Sequence, residues 1–266
     1  MAKLFSLPIS TGGTFECSSL ASQIYLLSFS SPPDNRLTTA FINAFSLALD
    51  ILQEKYPAGV LITTSSIPKF YSNGLDLPHF RDTVGFSEKT WFPFYQKLLT
   101  YHMPTIALIN GHAFAGGLIL AEFHDYRVQN PSRGFLCLNE IHIGMVIPPP
   151  LVAIFREKVS PNVFRTMVLE GKRFTAQEAL KEGLIDALGG IEEAAGLVKS
   201  KALLEKVKTG IWGSMKEEMY RETLGMLRGF AEGERWRKEI ENEKNEKAKT
   251  SVQEVAKWER GRKLKL

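Results

Sequence analysis

Apolar and polar residues change rhythm several times along this chain, and each change marks a predicted element. Residues 23–29, Gln-Ile-Tyr-Leu-Leu-Ser-Phe, form a short apolar run closed by Ser31-Pro32-Pro33, as a buried strand would. Over residues 37–56 the apolar positions Phe41, Ala44, Phe45, Ala48 and Ile51 recur three and four apart, which predicts a helix with one face in a core. Short apolar runs at 59–64, 105–109, 126–128 and 134–138 predict further strands, separated by helices or loops. That alternation is the mark of an α/β protein with a largely parallel sheet. Residues 76–91 show no clean period, so a loop with a short helix is expected there. Pro148-Pro149-Pro150 breaks the chain before an apolar helix over 151–159, and Pro161-Asn162 opens another. Thr175-Ala176-Gln177-Glu178 has the spacing of a capping box, for a helix ending near Gly183. No internal sequence repeat is visible.

Two segments that follow predicted strands carry chemistry. The first is Asn110-Gly111-His112-Ala113-Phe114-Ala115-Gly116-Gly117, between Pro104-Thr105-Ile106-Ala107-Leu108-Ile109 and Leu118-Ile119-Leu120-Ala121. It reads as a strand, a glycine turn and a helix start, and the first amides of a helix have no partner within it. Such glycines can also serve only to pack helix on strand. The second is Lys69-Phe70-Tyr71-Ser72-Asn73-Gly74-Leu75-Asp76-Leu77, after Val60-Leu61-Ile62-Thr63-Thr64. Asn-Gly is a turn dipeptide that tolerates positive φ, so the chain bends at Gly74 and leaves the Leu75 amide free to face a cavity.

Together the two segments resemble the paired motifs of the crotonase superfamily, the enoyl-CoA hydratase/isomerase family, over roughly residues 24–197. The resemblance implies an α/β fold with a crotonase-like ββα spiral core over residues 1–200 and a helical, charged C-terminal region over 201–266 that serves trimerisation or acts as a lid. It also implies assembly as a homotrimer or hexamer. The amides of Leu75 and Gly116 fall where the family builds an oxyanion hole for an acyl-CoA thioester. Ser72, Asn73, Gly74, Asp76, Leu77 and Asn139 would line the thioester and the start of the acyl chain. Two departures stand out: Tyr71 sits as an insertion between Phe70 and Ser72, and Ala115 replaces the first glycine of a triplet.

A thioester whose oxygen is held by two amides has an acidified α-carbon, and the remaining need is a base. The family's hydratases use two glutamates. The first position is Ile119 here, while the second is Glu140, in an Asn139-Glu140 segment similar to that of the family's 3-enoyl-CoA isomerases. One carboxylate suffices to move a proton from C2 to C4 and turn a 3-enoyl-CoA into the conjugated 2-enoyl-CoA, as in the β-oxidation of unsaturated fatty acids. Hydration needs a second polar group. Glu122 lies one turn past Ile119 on the predicted helix, and His112, His124, Asp125 and His142 flank the same elements; ordinary structural roles account for these. Ser72 has no nucleophile-elbow context, and no residue spacing suggests a metal. The resemblance implies no separate cofactor, because CoA is part of the substrate. Besides the isomerase, the sequence leaves open a hydratase or acyl-CoA hydrolase with an atypical second group, and a noncatalytic acyl-CoA- or RNA-binding relative.

Composition narrows this little further. The chain has 266 residues, 44% hydrophobic and 23% charged, with no apolar run long enough to span a membrane, so no membrane partner is expected. Cys17 and Cys137 are far apart in sequence, which argues against a disulfide scaffold. Residues 232–266 hold eleven Lys/Arg and eight Asp/Glu, a net +3 of the whole chain's +4. The signs alternate, so this tail reads as a solvated, ion-paired helix and not as a nucleic-acid surface. Leu264-Lys265-Leu266 is similar in its last two positions to the Ser-Lys-Leu peroxisomal address, and the N-terminus has no evident presequence. A peroxisomal location is expected, with the cytosol as the alternative.

Overall fold

Two sheets organise the molecule in the computed structural model, which describes residues 1–263. The larger begins with an antiparallel hairpin, β1 (Ala2–Pro8) and β2 (Thr14–Ala21), that turns at Gly12 and Gly13, both at positive φ. β3 (Ile24–Ser30) is antiparallel to β2, and from there β4 (Val60–Ser65), β6 (Thr105–Ile109), β8 (Tyr126–Gln129) and β10 (Ala187–Leu188) follow in parallel. The strand order is β1-β2-β3-β4-β6-β8-β10. The smaller sheet is parallel throughout and consists of β5 (Phe70–Ser72), β7 (His112–Phe114) and β9 (Leu136–Cys137), in that order. Each of β4, β6 and β8 therefore runs into one strand of the small sheet, and the chain winds as a spiral of ββ turns.

The helices are α1 (Thr39–Lys55), α2 (Leu77–Asp82), α3 (Phe92–Leu99), α4 (Gly116–Glu122), α5 (Pro149–Lys158), α6 (Pro161–Glu170), α7 (Ala176–Lys181), α8 (Ile191–Ser200), α9 (Leu203–Val207), α10 (Trp212–Met219), α11 (Arg221–Arg228) and α12 (Phe230–Lys263). Several start where the sequence says they should. Thr38 caps α1, Ser160 caps α6 ahead of Pro161, and Thr175 with Glu178 closes the capping box of α7. Every residue of β4 and β6 is buried, because helices cover both faces of the parallel sheet. On one face Leu26, Val60, Ile62, Ile106, Leu108 and Val128 pack on Ala194, Leu197, Val198 and Leu203 of α8 and α9. On the other, Phe29 meets Phe41 of α1 at a ring separation of 5.4 Å, with Phe15 5.0 Å from Phe41.

The strand expected over 134–138 is only Leu136–Cys137, and the alternating run beyond it coils into a single 3-10 turn, Glu140–Ile143. The alternation inverts its usual sense there. Ile141 and Ile143 are about half exposed while Glu140 is buried, so the polar residue faces inward.

By its contacts the chain divides into Met1–Leu227 and Arg228–Leu266. The second unit contains α12, whose described side chains are mostly exposed and carry ion pairs three residues apart, Glu246 with Lys249 and Glu254 with Lys257. No helix among the described residues is long and apolar enough to cross a membrane. The tripeptide Leu264-Lys265-Leu266 lies outside the described residues.

Candidate active site

The C-terminal ends of β5, β7 and β9 converge because the strands are parallel neighbours, and each is followed within three residues by a group singled out in the sequence: Leu75, Gly116 and Glu140. At the first of these, Gly74 takes φ +80°. A side-chain carbon on Gly74 would sit 2.9 Å from the Gly116 nitrogen, and one on Gly116 would sit 3.3 Å from the Leu75 nitrogen. The two amides are thus neighbours, and at position 74, at positive φ and with backbone within 2.9 Å, only glycine allows the approach. Neither amide donates to an acceptor among the described residues.

A segment that the sequence reading passed over holds the Leu75 turn in place. The Arg36 guanidinium donates from Nη1 to the carbonyls of Asn73 (2.9 Å) and Leu75 (3.1 Å), and from Nε to Asp34 (3.0 Å). Asn73 Nδ2 in turn donates to Asp34 Oδ2 at 2.6 Å, and the Leu37 amide donates to the Gly74 carbonyl at 2.9 Å. Asn35, fully buried at φ +55°, donates to Ser65 Oγ and the Tyr71 carbonyl, and accepts from the Ser31 amide. Ser72 Oγ donates to the Asn35 carbonyl at 2.7 Å and accepts from the Gly74 amide, so its hydroxyl is committed to the turn. Asp76 caps α2 by accepting from the His79 amide, and Leu77 is that helix's first residue. Asp34-Asn35-Arg36 after two prolines is a turn signal, and nothing in it announces a clamp on a segment 37 residues away.

Tyr71 is the extra residue where the pairing of β5 with β7 shifts: Phe70 pairs with His112 and Ser72 with Ala113. Its ring is fully buried and its hydroxyl meets Thr63 Oγ1 at 3.1 Å. Ala115 takes φ +49° and ψ −125°, a conformation that favours glycine, while its amide donates to Cys137 at 2.9 Å.

Glu140 is 8% exposed, and its Oε2 has no hydrogen-bond partner. Burial pushes its carboxyl up from 4.5 to about 7. Ile119 is buried, and Asn139 precedes Glu140 with an unpartnered Oδ1. The hydroxyl of Tyr95 is also buried and unpartnered; burial raises its pKa, and the Glu140 charge adds to that rise.

The other ionisable groups near these elements have structural partners. Glu122 is fully buried and pairs with Arg127 at 3.5 Å, and Arg127 also pairs with Asp186. Lys158 Nζ donates to the carbonyls of Glu122 and His124. His124 donates from Nδ1 to the Leu120 carbonyl, which leaves Nε2 to accept from Thr63; burial lowers its pKa to about 3, so the ring is neutral. Asp125 accepts from the Thr105 amide, Trp212 Nε1 and Lys216 Nζ, tying α10 to the sheet. His142 Nε2 lies 3.4 Å from the Gly171 carbonyl, and His112 Nδ1 accepts from the Phe135 amide. Among the described residues no three His, Cys, Asp or Glu side chains are grouped to hold a metal.

Fold and site together define a class: a spiral α/β protein that sets two free backbone amides and a buried carboxyl at the ends of three short parallel strands. Residues 20–207 match the family described as enoyl-CoA hydratase/isomerase. The chain is 30% identical to enoyl-CoA delta isomerase 2, peroxisomal, of Arabidopsis thaliana, over 77% of this chain and 91% of that protein. It is 28% identical to enoyl-CoA delta isomerase 1, mitochondrial, of Rattus norvegicus, over 77% of this chain and 70% of that one. An enoyl-CoA hydratase/isomerase family protein from Pseudomonas syringae has the same fold, with a TM-score of 0.70 at 23% identity, over 82% of this chain and 95% of the other. The protein belongs to the enoyl-CoA hydratase/isomerase family, the crotonase superfamily.

Proposed function

We propose that the protein is an enoyl-CoA isomerase that moves the double bond of a 3-enoyl-CoA to give the conjugated 2-enoyl-CoA, with Glu140 as its only acid–base group. The observation that carries this reading is the buried Glu140 with a carboxyl near 7, together with a buried, apolar Ile119 at the sequence position where a hydratase would need a second carboxylate. A base whose pKa lies near the working pH is at its most effective for proton transfer. In the reaction Oε2 takes a proton from C2, and the C2–H electrons delocalise through the thioester onto its oxygen as a dienolate. The Leu75 and Gly116 amides donate to that oxygen. The carboxylic acid then returns the proton to C4, and the double bond settles between C2 and C3. Each amide contributes about two to three orders of magnitude by analogy with other oxyanion holes. Ser72, Asn73, Gly74, Asp76, Leu77 and Asn139 flank the thioester in this reading, mostly by shaping the turns. No separate cofactor is required, since CoA arrives with the substrate.

Two relatives from Arabidopsis thaliana are named as peroxisomal, which supports a peroxisomal location for this chain in the metabolism of unsaturated fatty acids. Residues 1–200 would hold the acyl-CoA site and the helical residues 201–266 would serve assembly as a trimer or hexamer. The test is spectrophotometric, with purified protein on a medium-chain 3-enoyl-CoA and on a 2-enoyl-CoA. Conversion of the first without hydration of the second is expected; hydration of the second would overturn the single-base mechanism.

A further inference from the structure

A surface pocket of about 330 Å³ opens at the opposite end of the small sheet from Leu75, Gly116 and Glu140. Pro68, Lys69, His112, Arg133 and Gly134 line it. These residues stand just before or at the first residues of β5 and β7 and ahead of β9, so the spiral itself brings them together. Its polar side chains are all donors. The Phe135 amide occupies Nδ1 of His112 at 3.1 Å, which puts the ring's proton on Nε2 when the imidazole is neutral. Neither Lys69 nor Arg133 has a carboxylate partner among the described residues, and Lys69 Nζ rests 5.4 Å from the Phe70 ring. The floor is bare backbone, because Gly134, at φ +82°, presses against the Gly111 carbonyl, where a side-chain carbon would sit at 2.3 Å.

We propose that this pocket binds a phosphate monoester or diphosphate group. An ammonium, a guanidinium fork and an imidazole N–H around one concavity without a counter-charge form a complement to such a dianion. Burial holds His112 below its ordinary pKa, and the positive charges of Lys69 and Arg173 add to that shift. The inference stands apart from the isomerase reading. It concerns binding only.

The phosphate could belong to a separate metabolite or to the nucleotide end of the acyl-CoA, and one set of experiments separates them. Inorganic pyrophosphate is titrated calorimetrically into the full-length protein and into the double variant K69Q/R133Q, with His112 followed by NMR. Binding to the wild type, weakened by more than about tenfold in the variant, is expected. Bound pyrophosphate should also raise the His112 titration midpoint. Equal binding to both proteins, no binding to either, or an unmoved His112 would overturn the proposal. Where binding is lost, an unchanged KM for 3-enoyl-CoA in the variant assigns the pocket to a separate phosphorylated ligand, and a raised KM with competitive inhibition by pyrophosphate assigns it to the CoA phosphates.

Discussion

Glu140 costs stability in its charged form. Its folded carboxyl titrates near 7 against 4.5 for a free one, so its stabilising contribution is complete below about 4.5 and is lost as pH rises through about 7. The full difference is up to about 3 kcal/mol. Glu140→Gln removes this dependence, so the variant should melt at a higher temperature than wild type at pH 8 and at nearly the same temperature at pH 4. A gap that is the same at both pH values would refute the assignment of the titration to this residue. The variant should also lose about two to four orders of magnitude in kcat, while wild-type kcat/KM on a 3-enoyl-CoA should rise with pH around a midpoint near 7. Ala115 poses the opposite case, since its φ of +49° strains an alanine and would not strain a glycine. Ala115→Gly should therefore raise stability by about 1 kcal/mol in urea denaturation, the relieved strain exceeding the extra chain entropy of glycine.

At the scale of elements, the geometry of the candidate site depends on segments far apart in sequence. The turn 72–76 has no regular structure of its own, and residues 34–37 supply its partners, with Arg36 reaching two of its carbonyls. Arg36→Ala should let the Leu75 amide move, and a small displacement of a positioned donor costs about ten- to a hundredfold in rate. The expected result is a kcat reduced by that factor with the pH midpoint near 7 unmoved; an unchanged kcat would show that the turn holds itself. The two glycine turns were legible as turns because Asn-Gly and paired glycines after apolar runs are local signals, whereas Glu140 was singled out only through the family resemblance. The Asp34-Asn35-Arg36 clamp was not, since long-range side-chain to backbone bonds leave no periodicity. The edge hairpin β1–β2 escaped for a related reason: β1 is largely exposed, so it lacks the apolar run that marked β3, β4 and β6. The strand expected over 134–138 ends at Cys137, and the apolar–polar alternation that continues past it belongs to a 3-10 turn that points the Glu140 carboxyl inward.

At the scale of the whole molecule, the parallel core and the charged tail follow different physics. Met1–Leu227 contains both sheets, the aromatic cluster around Phe41 and the packing of α8 and α9 on the strands, so its cohesion comes from apolar burial. Arg228–Leu266 contains α12, where Trp236, Val252, Val255 and Trp258 are each more than half exposed and the ion pairs lie on the surface. Exposed pairs of that kind contribute little, roughly 0.2–1 kcal/mol each, and they hold a helix and not a core. A chain ending at Leu227 should therefore melt within about 3 °C of the full-length protein, the shift that about 1 kcal/mol produces in a domain of this size. Differential scanning calorimetry of the two chains, compared with their sedimentation velocity, separates the contributions. If the C-terminal helix serves assembly, the truncated chain keeps its melting temperature at low concentration and sediments as a smaller species. A fall in Tm much larger than about 3 °C in the truncated chain, at equal assembly state, would mean that the tail completes the core.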